Sequence, residues 1–94
     1  MSLPILWTDE AKETFDNTLI QIEHKWGTSS AAKFVSQANR TLNTITLQPY
    51  LFKASYTSNV RQAFITKQTS MFYEVHSTYI AVLFFWDNRQ EPIL

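Results

Sequence analysis

VRQAFITKQTSMFYEVHSTYIAVLFFWDNRQEP, Val60 to Pro92, holds three short apolar runs with almost no loop between them. The runs are 60–66, 69–76 and 79–86, and the last, YIAVLFFW, is the most apolar stretch in the chain. β-Branched and aromatic residues dominate each run, and each has strand length, which predicts a three-stranded meander. The connections Lys67-Gln68 and Ser77-Thr78 are too short for a crossover, so the pairing is antiparallel. Two-residue turns at both sites set Gln62 opposite Tyr73, and Tyr73 opposite Val82.

Upstream, Pro4-Ile5-Leu6-Trp7 reads as a first strand, with proline at its start where a missing N–H is tolerated. Thr8 is a good N-cap, and Asp9 and Glu10 place negative charge on the first turn of a helix. Ala11, Phe15, Leu19, Ile22 and Trp26 make one face of that helix, and Gly27 ends it. Ala31, Phe34, Val35, Ala38, Leu42 and Ile45 make the face of a second helix, stopped by Gln48-Pro49. So short a turn gives an αα-hairpin. Residues 49–59 read as a loop. The order β-α-α-β-β-β, with the hairpin packed on one face of an antiparallel sheet, is an α+β domain of two layers.

Ninety-four residues make one domain spanning 1–94. An apolar fraction of 45% with seven Phe, three Trp and four Tyr is enough for a core and argues against disorder. The absence of Cys excludes disulfides and thiolate chemistry. No run is long enough to span a membrane, and the start lacks the basic region of a secretion signal. Eight basic and eight acidic residues balance, which argues against a general nucleic-acid binder. His24 and His76 lack ligand spacing, so neither a metal site nor a cofactor is expected. Lys12, Lys25, Lys33 and Arg40 alternate with acids and read as solvated helix faces.

Strand alternation separates two sheet faces. In the expected register, Val60, Phe64, Met71, Tyr73, Val75, Ile80, Val82, Phe84 and Trp86 meet the helices. Arg61, Ala63, Ile65, Phe72, Glu74, His76, Tyr79, Ala81, Leu83 and Phe85 then lie on an open face, continued by Asp87 and Arg89. An apolar patch rimmed by charge marks a partner site. Arg61 opposite Glu74, and Arg89 beside Asp87 or Glu91, are also explained as plain ion pairs. Tyr73 reads as core.

The chain resembles the RelE/ParE superfamily of toxins from bacterial type II toxin–antitoxin systems over nearly its whole length. The resemblance rests on Ile5-Leu6-Trp7-Thr8-Asp9-Glu10-Ala11, the Trp-Gly between the helices, Leu47-Gln48-Pro49, Val60-Arg61, Phe72-Tyr73-Glu74-Val75 and the closing Asp87-Asn88-Arg89-Gln90-Glu91-Pro92. It implies a small cytoplasmic protein linked to growth inhibition and plasmid stabilisation, and a cognate antitoxin as partner. One branch poisons DNA gyrase; the other cuts mRNA on the ribosome without a metal. For the nuclease, the matching positions are Arg61 and Arg89 as catalytic cations, with Lys53 joining them in nucleic-acid binding. The segment after the last strand has no His or Tyr, Asp87 stands where many relatives carry a basic residue or His, and arginine is a poor general base. These departures favour the ParE-like reading. An mRNA endonuclease and a silent antitoxin-binding module remain alternatives. The antitoxin is expected on Phe72, Leu83 and Phe85.

Overall fold

A computed structural model describes residues 2–54 and 59–90 of the chain. Its elements are β1 (Ile5–Trp7), α1 (Asp9–Trp26), α2 (Thr28–Leu47), β2 (Val60–Phe64), β3 (Thr69–Val75) and β4 (Ile80–Asp87). The α+β order is the expected one. The sheet runs β1-β4-β3-β2, with the meander antiparallel and β1 parallel to β4. The sheet is therefore mixed and not wholly antiparallel as expected: the helix hairpin carries the chain from β1 to β2 at the opposite edge, and the meander brings β4 back beside β1.

Thr8 caps α1 through its hydroxyl, which accepts from the Ala11 N–H at 3.0 Å. Gly27 closes α1 and opens α2 at φ 96°, a backbone shape that favours glycine, and its N–H donates to the Glu23 carbonyl at 2.9 Å. Ala31, Phe34, Ala38, Leu42 and Ile45 bury the stripe of α2. From α1, Ala11 is buried, and Phe15, Leu19 and Ile22 pack on the same core. Trp26, expected on that stripe, is instead 64% exposed at the helix end. Phe15, Phe34, Phe85 and Trp7 pack ring against ring, with Phe15–Phe85 centroids 5.1 Å apart, and fasten α1 to β1 and β4.

The Ser77-Thr78 turn has the expected length: the His76 N–H donates to the Tyr79 carbonyl at 2.9 Å. The β2–β3 connection is one residue longer than expected. Ile65 already bonds Thr69, so the loop is Thr66-Lys67-Gln68. The Thr66 hydroxyl holds it by accepting from the N–H groups of Gln68 and Thr69. One extra loop residue turns β2 over. Gln62 pairs with Phe72 and Arg61 with Tyr73, so Arg61, Ala63 and Ile65 lie on the helix side and Phe64 on the open side.

A bulge reverses the second half of β4. Phe72 pairs with Phe84 and Tyr73 with Val82, leaving Leu83 as the extra residue. The polar groups it frees are taken up by α1 and its cap. The Thr8 hydroxyl donates towards the carbonyls of Val82 and Leu83 at 3.0 and 2.8 Å, and the Phe85 N–H donates to the Thr14 hydroxyl at 2.9 Å. Phe85 thereby enters the core at 3% exposure, and Phe84 and Trp86 move to the open face. The expected faces of Val60, Arg61, Ala63, Phe64, Ile65, Phe84, Phe85, Trp86 and Asp87 are all corrected by these two features.

Candidate functional site

Arg61 serves as an anchor for the segment after α2. Its Nη1 donates to the Phe52 carbonyl at 2.7 Å, and its guanidinium lies 4.8 Å from the centroid of the Tyr50 ring. Its Nε is buried without a hydrogen-bond partner among the described residues. Beside it, the Tyr73 hydroxyl donates to the Pro49 carbonyl at 3.0 Å. Burial pushes the Tyr73 hydroxyl up from 10.0 to about 12, against the opposing pull of the Arg61 charge. The expected Arg61–Glu74 pair does not form, because Glu74 lies opposite Val60 and contacts His76 at 3.3 Å. Lys53 is exposed, and its carbonyl accepts from the Gln62 N–H at 3.3 Å beside the edge strand.

Arg89 folds back onto Asp87, as the simple ion-pair reading expects. Nη2 to Oδ2 is 2.7 Å and Nε to Oδ1 is 3.0 Å, a two-pronged contact, and the Arg89 N–H also donates to Oδ1. The Arg89 hydrogen bonds hold the Asp87 carboxyl below its usual range. Glu91, the other expected partner, lies outside the described residues. Asp87 pairs with Thr69 at one end of β3, whereas Arg61 pairs with Tyr73 towards the other. Thr69 and Tyr73 are roughly 13 Å apart along the strand, and each arginine is held by its own local partners. The two arginines do not converge on one phosphate-sized site.

The open face carries Leu6, Gln62, Phe64, Ser70, Phe72, Glu74, Ala81, Phe84 and Trp86. Its apolar centre is the Phe72–Phe84 stack, with centroids 4.8 Å apart. Phe72 is nearly buried at this stack, while Phe64 and Leu6 are more than half exposed. Leu83 stands half-buried at the bulge. Of the three residues expected to meet an antitoxin, Phe72 therefore lies on this face, Leu83 at its kink, and Phe85 on the opposite side. A chain from Gln62 Nε2 to Ser70 Oγ to Asn88 Oδ1, at 2.9 and 2.7 Å, satisfies the polar groups at one end. At the other end His76 stacks on Tyr79, with ring centroids 4.5 Å apart. Among the described strand residues no Lys or Arg reaches this face.

A second feature escaped the strand reading. An open cleft of about 260 Å³ lies where the end of α1, the start of α2, the β2–β3 loop and the end of β4 meet. Lys25, Lys33, Lys67, Arg89, Asp87 and Trp26 are among its lining residues. Lys25 and Lys33, expected as solvated helix faces, are brought together there by the tight turn at Gly27. Trp26 beside that glycine, read in the sequence as part of the buried stripe, gave no sign of the cleft. Among the described residues no group of His, Cys, Asp or Glu could hold a metal ion, and no helix is long and apolar enough to cross a membrane.

No protein-family model and no curated protein matches the chain. Solved structures do. A structure of the chromosomal ParDE toxin–antitoxin system from P. aeruginosa matches with a TM-score of 0.77 at 17% identity, covering 92% of this chain and 96% of that one. The E. coli DinJ-YafQ toxin–antitoxin complex gives 0.65 at 10% identity, covering 95% and 96%. The YoeB dimer from Staphylococcus aureus gives 0.64 at 16% identity, covering 89% and 94%. At such identities the likeness is one of fold, and it extends over nearly the whole of each chain. The chain has the RelE/ParE-type toxin fold.

Proposed function

We propose that this chain is the toxin of a type II toxin–antitoxin pair, acting in the ParE-like manner by binding a protein target such as DNA gyrase. The observation that carries this reading is the occupation of its two candidate arginines. Arg61 is tied to Phe52 and Tyr50, and Arg89 to Asp87, at separate ends of β3. Metal-independent RNA cleavage needs cations and a proton acceptor gathered around one phosphate. The apolar open face favours recognition of a protein instead. Solved toxin–antitoxin assemblies of the same fold support an antitoxin as partner. It would cover the open face at Phe64, Phe84 and Trp86, beside Phe72 and Leu83, by a helix or an added strand.

Inducing the chain in bacteria without an antitoxin tests this reading. Growth should stop, with gyrase-linked DNA breaks and intact mRNA. Ribosome-dependent mRNA cuts that vanish in a folded Arg61→Lys variant would instead establish the RelE-like nuclease. Unaffected growth would leave a silent antitoxin-binding module.

A further inference from the structure

We propose that the cleft between the helix turn and the β2–β3 loop is a binding site for a nucleoside phosphate. The chain as a whole is neutral, yet among the described residues four Lys and Arg side chains and one acid line this cleft. Asp87 is engaged by Arg89 and is also stabilised in its charged form by Lys25, while among the described residues no close ion pair is formed by Lys25, Lys33 or Lys67. Three lysines thus converge from three elements: the end of α1, the second turn of α2 and the β2–β3 loop. Exposed like charges around one cleft repel one another modestly in water, and an anion seated among them relieves that repulsion and meets a positive field. A phosphate group supplies that anion.

The rest of the cleft selects among phosphate-bearing ligands. Trp26 lines it and leaves 64% of its surface exposed, although it continues the apolar stripe of α1. An indole held beside a cationic cleft offers a flat surface on which a nucleobase stacks. At about 260 Å³ the open cleft is of the size of a single mononucleotide unit, just below the usual range of small-molecule pockets. Ser30 at the wall belongs to the first turn of α2, whose helix dipole adds to the positive field. The site lies on the helix side, away from the open face of the sheet.

Isothermal titration of the full chain with magnesium-free ATP, with sodium pyrophosphate and with a 5′-phosphorylated trinucleotide tests the proposal. ATP should bind one per chain and weaken as salt rises. Lys33→Gln and Lys67→Gln should each weaken it roughly tenfold, while Lys12→Gln on the far part of α1 should leave it unchanged. Trp26→Leu should weaken ATP about fivefold or more but leave pyrophosphate unaffected, a split that bulk charge attraction does not produce. The trinucleotide binding more tightly than ATP would assign the ligand to a strand end, and the reverse to a free nucleotide. No saturable heat at about 1 mM ATP, or an equal loss in Lys12→Gln, overturns the proposal. So does lysine-dependent binding of a Glu-rich peptide without any ATP binding, which would give the cleft to a protein partner.

Discussion

At the residue scale, Thr8 and Tyr73 each join parts of the molecule that are far apart in the chain. The Thr8 hydroxyl caps α1 and bonds the carbonyls of the β4 bulge, so one side chain sets both the helix start and the strand kink. Tyr73 crosses the core from β3 to the end of α2, where its hydroxyl meets the Pro49 carbonyl. Its raised pKa makes a pH-dependent contribution with a definite sign. The unfolded chain releases this proton near pH 10.0, and the folded chain holds it to about 12. The contribution is present below pH 10 and falls as pH rises through that window, by about 2–3 kcal/mol in full. Urea denaturation at about pH 8 and about pH 11 should show a larger loss in the wild type than in Tyr73→Phe. Tyr73→Phe should itself cost about 1 kcal/mol near neutral pH, for the lost hydrogen bond.

At the scale of elements, two small irregularities determine which side of the sheet each residue occupies. The Thr66-Lys67-Gln68 loop turns β2 over, and the Leu83 bulge turns over the end of β4. Phe85→Ala should therefore cost about 3–5 kcal/mol by opening the aromatic cluster with Trp7 and Phe15. Phe84→Ala should cost roughly 1–2 kcal/mol, since it loses mainly the stack on Phe72. Chemical denaturation of the two variants checks this order; an unbulged strand would reverse it. Helix caps, stripes and the strand-length runs were legible because periodicity and capping are local. The register was not, because nothing in Thr66-Lys67-Gln68 distinguishes a loop of three residues from one of two. Phe84-Phe85-Trp86 is apolar on both faces and carries no alternation to reveal the bulge. Arg61 was thus drawn to the open face with Glu74, when its partners are the Phe52 carbonyl and the Tyr50 ring.

Across the whole molecule, an apolar sheet face and a cationic cleft lie on opposite sides of one layer of strands. Among the described strand residues no Lys or Arg reaches the open face, whereas four of the chain's Lys and Arg side chains line the cleft beside the helix turn. That division is the physical basis for proposing that the chain acts through protein contact. If an antitoxin and the protein target share this apolar face, Phe64→Asp should keep the fold but weaken both growth inhibition, read on induction of the chain alone, and antitoxin binding, read by co-purification. The most direct measurement is a supercoiling and DNA-cleavage assay of purified gyrase with the purified chain, alongside translating ribosomes with the same chain. Inhibited supercoiling with trapped gyrase–DNA breaks, and intact mRNA, is the predicted result. Unaffected gyrase together with ribosome-dependent mRNA cleavage would contradict it.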